Sequence, residues 1–196
     1  MLVEFGSGSS VKTRILLDHL IDPVAYVPID ISHEHLQQTA NDLDDEYPDL
    51  EILPVSDDFT AIDELPSPTT SSSRTVVFFP GSTIGNLSNE DACQVLCQIA
   101  ELCGEGGSLL IGIDLQKDVD VLEKAYNDDA GVTAEFNKNL LRRINRELGA
   151  DFSVRQFQHE STYNPNRERI ETYLVSECDQ RVRIDEREVT FAAGER

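Results

Sequence analysis

Two glycines and a carboxylate near the start of the chain are the residues best suited to bind a nucleotide-like ligand. A short apolar run ends in Glu4-Phe5-Gly6-Ser7-Gly8, and Asp30 ends a second apolar run further along the chain. Glycines let a backbone turn sharply and approach a ligand closely, and the free N–H groups of a helix start favour anionic groups. An acid ~20 residues beyond the glycines can accept hydrogen bonds from ribose hydroxyls. This pattern predicts a strand, a tight turn and a helix that bind a nucleotide-like cofactor.

The kind of cofactor depends on whether a third glycine is present. A dinucleotide fingerprint has a glycine three residues after the second one, where the helix packs beneath the pyrophosphate, and Val11 occupies that position. S-adenosyl-L-methionine (SAM) has no pyrophosphate, and Glu4 suits a cofactor that carries an ammonium group. The sequence therefore favours SAM over NAD. A structural glycine turn, and a helix N-cap role for Asp30, are the alternatives.

Two further groups of polar and aromatic residues follow predicted strands. Asp58 and Phe59 come after the strand-like run Leu50–Val55, and an acid beside an aromatic ring can hold an adenine; a core role for Phe59 is the alternative. Arg74–Phe79 is the most apolar run and predicts a central strand. It leads into Pro80–Leu87, which combines glycines, hydroxyls and an amide. Ligands of open α/β sheets bind at this edge.

The order of these runs predicts the fold that positions the residues. Five strand-like runs alternate with helical periods up to about residue 115, which indicates an α/β domain with a mostly parallel sheet. After Lys117, two helical periods precede three strand-like runs, Phe152–His159, Arg169–Ser176 and Arg181–Phe191. Consecutive strands predict an antiparallel meander. We expect a cofactor-binding domain over residues 1–115 and part of a substrate-binding subdomain over residues 116–196.

The charge of the chain restricts its partners and its environment. The chain carries 37 acidic and 16 basic residues, with a net charge of −21, and only four of the basic residues are Lys. Such a charge disfavours nucleic acids and anionic membranes as partners, and it is typical of proteins that stay soluble in high salt. No 18-residue apolar run is present, and Met1 leads directly into a strand. We expect a cytoplasmic, monomeric, halophilic protein.

The four cysteines predict no metal site. Cys93, Cys97, Cys103 and Cys178 form no C-x-x-C pair, and no histidines accompany them at ligand spacing. Cys93 and Cys97 would share one face of a helix, which favours small buried hydrophobic side chains. No residue in the sequence is identified as a catalytic acid or base.

Several motifs resemble one enzyme family when they are taken together. The stretches Glu4–Thr13, Phe79–Leu87 and Ala125–Asn137, followed by Asn145-Arg146-Glu147-Leu148, resemble in order and spacing the histidine Nα-methyltransferase family of ergothioneine biosynthesis. A sister branch of that family methylates a prenylated tryptophan amine. The second and third stretches are more specific than the first, and the resemblance covers nearly the whole chain.

The resemblance implies a fold and a set of residue roles. The fold would be the Rossmann-like parallel sheet of class I SAM methyltransferases, with part of a second α+β subdomain that binds substrate. The matching positions would hold SAM through Gly6, Gly8 and Lys12, its ribose through Asp30, and its adenine through Asp58 and Phe59. Asn86 and Tyr126 would bind the amino-acid end of the substrate. The spacing of Tyr126 alone favours a core position on an amphipathic helix, and only the motif favours substrate binding.

The activity that the resemblance implies is methylation of the α-amine of L-histidine to the trimethylated betaine, hercynine, as the first step towards ergothioneine. A related enzyme that acts on another amine of the tryptophan type, a SAM-binding fragment without turnover, and a dehydrogenase are the alternatives. Members of the family also carry an N-terminal helical segment and a later segment whose Glu and Ser recognise imidazole. The present sequence matches neither segment, so we expect it to be part of a longer protein.

Overall fold

A five-stranded sheet forms the centre of the first of two compact units. The units comprise residues 1–114 and 115–196, and the structure, a computed structural model, describes all 196 residues. The strands pair in the order β3-β2-β1-β4-β5, and every pairing is parallel. They are β1 (Leu2–Phe5), β2 (Ala25–Ile29), β3 (Glu51–Ile52), β4 (Val76–Phe79) and β5 (Ser108–Ile111). The predicted parallel sheet is thereby confirmed. The middle strand is β1, whose four residues are all buried, and β4 is an interior strand between β1 and β5, as its apolar run predicted.

Three helices connect these strands and cover the two faces of the sheet. They are α1 (Val11–Leu17), α2 (His33–Glu46) and α3 (Asn89–Cys103). Side chains alternate between the faces of a strand, so Leu2 joins one apolar cluster with α1 and α2, whereas Val3 joins another with α3. Ser88 caps α3 as predicted: its Oγ accepts a hydrogen bond from the Asp91 amide at 3.1 Å. Gly104 ends the helix with a φ of 63°. None of the five helices of the chain is both long and apolar enough to span a membrane.

The cysteines are not the buried residues that the sequence predicted. Cys93 and Cys97 are exposed on α3, and Cys103 and Cys178 are half-buried. The reason is that Val95 and Ile99 occupy the face of α3 that packs on the sheet, which turns positions 93 and 97 towards solvent. No group of three or more His, Cys, Asp or Glu side chains is arranged to hold a metal ion.

The second unit combines two helices with two antiparallel hairpins. The helices are α4 (Val119–Tyr126) and α5 (Val132–Glu147), and the strands are β6 (Phe157–Asn164), β7 (Arg169–Ser176), β8 (Gln180–Ile184) and β9 (Arg187–Phe191). The pairs β6–β7 and β8–β9 form separate sheets, so the predicted single meander is wrong. The run 181–191 is a hairpin instead of one strand, because the chain reverses at Asp185, whose φ is 53°. The run 152–159 becomes extended only from Phe157.

Candidate functional site

The glycine turn after β1 leaves open space at the carboxyl end of the sheet. Gly6 and Gly8 have φ values of 70° and 51°, which side chains rarely adopt, and the amides of Gly6 and Ser7 donate to the Ile29 carbonyl at 2.9 and 3.2 Å. A Cβ at either glycine would meet no atom within 4 Å. The glycines are therefore required by the backbone conformation, and the space in front of them is free for a ligand.

Asp30 is joined to the glycine turn by a hydrogen bond. Its Oδ2 accepts a hydrogen bond from the Gly8 amide at 3.0 Å, and its Oδ1 accepts one from the Ser32 amide at 2.9 Å. The N-cap residue of α2 is Ser32, so the second bond lies outside the helix and Asp30 does not have the N-cap role that was its alternative. Because a carboxylate offers about four acceptor sites, these two bonds leave capacity for hydroxyl donors. The geometry is therefore compatible with an Asp30 carboxylate that also accepts from a ligand.

Glu4 does not have the position that its proposed contact with an ammonium group requires. The side chain is buried, with 2% of its surface exposed, and it accepts hydrogen bonds from the hydroxyls of Thr13 and Tyr26. Burial raises the pKa of the Glu4 carboxyl, since a charge is costly away from water. The carboxyl therefore ties β1 to α1 and β2 within the protein and is not available to an ammonium group of a cofactor.

Ser7 is a candidate ligand contact that the sequence did not reveal. Its Oγ is buried and has no hydrogen-bond partner in the chain. Buried hydroxyls normally find a partner, so an unpaired one in a glycine turn fits a bound polar ligand. The free hydroxyl, the open space at the glycines and the carboxylate of Asp30 together suit a nucleoside that carries a hydroxylated sugar.

Lys12 connects the glycine turn to the loop that follows β4. The Lys12 residue lies in the first turn of α1, and its Nζ would be 3.9 Å from a Cβ placed on Gly81. Gly81 has a φ of 77°. The strands β1 and β4 are adjacent and parallel, so the two loops emerge at the same edge of the sheet. The structure thus brings Lys12 to the second predicted loop as well as to the first.

The loop after β4 is fixed to the end of β5 and presents Asn86 at its surface. The Ser82 amide donates to the Gly112 carbonyl at 3.0 Å, and the Ser82 Oγ accepts from the Asp114 amide at 3.0 Å. A short 3₁₀ helix, Thr83–Asn86, follows. Asn86 is exposed at its end, where its amide is accessible to a small molecule.

Asp58 forms hydrogen bonds within its own loop, whereas Phe59 packs against other aromatic rings. Asp58 Oδ1 accepts from the amide and the hydroxyl of Thr60 at 2.9 and 2.8 Å, and these bonds lower the pKa of the Asp58 carboxyl. The Phe59 ring lies 5.5 Å from that of Phe5 and 5.4 Å from that of Phe79. Phe59 therefore packs against the core, as its alternative role required, while its part in binding adenine stays a prediction.

Tyr126 is the residue of the second unit for which the resemblance implies substrate binding. It is the last residue of α4, and 45% of its surface is exposed. This exposure excludes the core position that its spacing also allowed. Asn86 belongs to the first unit and Tyr126 to the second.

The residues that follow Tyr126 in the motif form hydrogen bonds that fix the end of α4 and the start of α5. The Asn127 Nδ2 donates to the Ser161 carbonyl at 2.8 Å, and the Asn127 Oδ1 accepts from the Ser161 amide at 3.0 Å. Asp128 accepts from the amides of Val132 and Thr133, both at 2.8 Å, at the start of α5. A hydrogen bond from the Thr133 side chain, together with these two amide bonds, lowers the pKa of Asp128 to about 2. The sequence did not reveal the role of Asn127, because its contact with Ser161 spans 34 residues.

Comparisons with known proteins identify relatives of the whole chain. The protein-family model described as "Histidine-specific methyltransferase, SAM-dependent" matches residues 1–196. The chain is 43% identical over 200 residues to a histidine N-alpha-methyltransferase of Mycolicibacterium smegmatis and 44% identical to one of Mycobacterium tuberculosis. Each alignment covers 99% of this chain and 61% of the relative. The chain thus spans about three-fifths of the length of these curated relatives.

A fungal protein is a more distant relative. The chain is 32% identical over 155 residues to the ergothioneine biosynthesis protein 1 of Neurospora crassa, across 76% of this chain and 17% of that protein. The parallel sheet with its glycine turn agrees with the Rossmann-like fold of class I SAM methyltransferases. Because the family model covers the chain from end to end, the chain belongs to the family of SAM-dependent, histidine-specific methyltransferases.

Proposed function

We propose that this chain belongs to an enzyme that transfers methyl groups from SAM to the α-amine of L-histidine, giving the trimethylated betaine hercynine on the route to ergothioneine. The match of the family model to residues 1–196 is the observation that carries the proposal. The two relatives named for the same activity, and the fungal ergothioneine protein, support it.

The residues at the carboxyl edge of the sheet suit the cofactor. When bound, SAM supplies a methyl group on a positively charged sulfur, which is already a good leaving group. The chain therefore has to align the amine with the methyl carbon and to exclude water. We assign cofactor binding to Gly6, Gly8, Lys12, Asp30, Asp58 and Phe59, and we add the unpaired hydroxyl of Ser7. Asp30 would accept from the ribose hydroxyls, because its carboxylate is held by the amide of Gly8 beside the open turn.

Asn86 and Tyr126 would hold the amino-acid end of the substrate. Both side chains are exposed and polar, and each can donate a hydrogen bond to a carboxylate. Fixing the carboxylate would orient the neighbouring α-amine, which attacks only in its neutral form. The role of these residues is positioning, and the proton of the amine passes to an acceptor that we do not assign to a side chain.

The acidic surface supports proposals about the partners and environment of the protein. A net charge of −21 repels nucleic acids and anionic membranes, and screening by salt would relieve its self-repulsion. We therefore assign the protein to a salt-rich cytoplasm and expect it to act as a monomer. Light scattering in about 2 M KCl, where charges are screened over a few ångströms, measures the mass and so tests the monomer.

Calorimetry followed by mass spectrometry tests the activity. SAM is titrated into the chain in molar KCl, and L-histidine is then titrated into the SAM complex. We expect heat from both titrations and histidine that has gained one, two and three methyl groups. L-tryptophan, added instead of histidine, tests the alternative substrate. Heat from SAM without methylated product would identify a binding fragment, and no heat from SAM would contradict the cofactor proposal for this chain.

A further inference from the structure

A histidine on the neighbouring strand contacts the backbone of Tyr126. His159 lies in β6, and its Nε2 is 2.8 Å from the Tyr126 carbonyl oxygen. The carbonyls of the last turn of a helix have no partner within the helix, so this contact satisfies a group that would otherwise be unpaired. The bond joins residues that are 33 positions apart in the sequence.

The partners of the ring determine its tautomer. A carbonyl oxygen can only accept, so the Nε2 of His159 must carry the hydrogen. The Nδ1 is then the acceptor in the neutral ring, and the Asn137 Nδ2 lies 3.4 Å from it. The Asn137 Nδ2 also donates to the Thr133 carbonyl at 3.0 Å, which fixes the amide. The imidazole is thereby held between α5 and the end of α4.

The residues beside Tyr126 are fixed to the same strand. Asn127 exchanges hydrogen bonds with the amide and the carbonyl of Ser161, and Glu123 Oε1 accepts from the Tyr163 amide at 2.9 Å. The Ser161 Oγ also lies 3.3 Å from His159 Nε2. The end of α4 is thus clamped to β6 on both sides of Tyr126, while the tyrosine side chain itself stays exposed.

We propose that His159 is a positioning residue for the substrate: by holding the Tyr126 backbone, it aims the exposed tyrosine side chain at the carboxylate of the bound amino acid. This inference rests on the proposed function, in which Tyr126 contacts the substrate. A contact with a substrate is effective only when the contacting side chain is held in place by its supporting residues. In this proposal His159 supports Tyr126 through its backbone and does not itself contact the substrate.

Histidine binding to His159 variants tests the proposal. The dissociation constant of L-histidine is measured by calorimetry on the chain saturated with S-adenosylhomocysteine, which prevents turnover. We expect His159→Ala to weaken histidine binding about tenfold, the size of one lost hydrogen bond, and to leave cofactor affinity unchanged. His159→Gln should restore binding, because its amide N–H can reach the Tyr126 carbonyl. Gln158→Ala, an exposed neighbour on the same strand, is the control that should bind as the parent chain does.

A double-mutant cycle separates positioning from general structural support. If His159 acts through Tyr126, His159→Ala should weaken histidine binding no further in a Tyr126→Ala background. The proposal is overturned if the two effects add fully, or if His159→Ala weakens cofactor and histidine binding by the same factor. Thermal unfolding of each variant shows whether it is folded.

A second readout needs no substrate and separates this proposal from the proposed function. The chain has five tyrosines, so ring-labelled tyrosine gives a small set of NMR signals, and Tyr126→Phe assigns the signal of Tyr126. His159→Ala should shift or broaden that signal in the free chain, whereas His159→Gln and Gln158→Ala should not. If the parent chain binds no histidine, the proposed function fails and this signal alone decides the positioning role. An unchanged Tyr126 signal in His159→Ala would overturn it.

Discussion

The amide of Gly8 donates a hydrogen bond to Asp30 Oδ2 at 3.0 Å, so the glycine turn and the acid after β2 form one unit. Asp30→Ala removes this bond and the one from Ser32, as well as the acceptor that we propose for the ribose. Hydrogen bonds to charged groups contribute ~1.5–3 kcal/mol, so we expect SAM affinity to fall about 10- to 100-fold in calorimetry.

The matched control for this prediction is Asp63→Asn. Asp63 is an exposed acid of the same unit that lies outside the glycine turn. Its replacement should leave SAM affinity unchanged, since it removes one surface charge and no ligand contact. Equal SAM affinities of the parent chain and Asp30→Ala would show that Asp30 acts only in the turn and not on the cofactor.

Glu4 is expected to make the stability of the chain decrease as the pH rises. Its buried carboxyl has a raised pKa, so the folded state favours the neutral form. The stabilisation from the neutral form is complete below the ordinary pKa of 4.5 and is lost as the pH rises through the raised pKa. Urea unfolding should therefore show that the parent chain loses stability relative to Glu4→Gln as the pH rises above 4.5. A constant difference between the two proteins would contradict the raised pKa.

Salt should stabilise the chain through the acidic end of α2. Asp42, Asp44 and Asp45 are exposed near the C-terminus of this helix, and its last turn contains no basic residue. Negative charges at that end oppose the helix dipole, and salt screens this repulsion. We expect the urea midpoint to rise from about 0.1 M to about 2 M KCl.

A triple variant identifies the residues responsible for the salt effect. Replacing Asp42, Asp44 and Asp45 by Asn should raise stability at low salt and reduce its dependence on KCl. Replacing three exposed acids that lie outside the helices, Glu177, Asp185 and Glu186, by their amides is a control that changes the net charge equally without a helix end. Equal salt dependence of the two variants would assign the effect to net charge alone.

Asn145 is expected to stabilise the second unit. Its Nδ2 donates to the Phe152 carbonyl and its Oδ1 accepts from the Phe152 amide, both at 2.8 Å. Phe152 is buried, so Asn145→Ala leaves two backbone groups unpaired and should cost ~1–3 kcal/mol of unfolding free energy. Urea unfolding measures this loss. Asn139→Ala, at an exposed position of the same helix, should be neutral or slightly stabilising, and an equal loss at both positions would contradict the assigned role.

The amino-acid sequence by itself determined the features that depend only on residues close together in the chain. The turn at Gly6 and Gly8 follows from the backbone freedom of glycine, and the start of α3 follows from the hydroxyl of Ser88 and the acid at Asp91. The alternation of strands and helices was sufficient to predict a parallel sheet, because such a sequence pattern admits few topologies.

The tertiary structure alone decided which way side chains point and which distant groups meet. Glu4 lies in β1, two residues before Gly6, yet its carboxyl does not face a ligand. The hydroxyls of Thr13 and Tyr26 hold it in the interior. Cys93 and Cys97 share a helix face as expected, but packing of α3 through other residues turns that face to solvent. The contact between His159 and Tyr126 joins a strand to a helix end far apart in sequence. Local spacing carries no information on such pairs, because they form only when the elements pack.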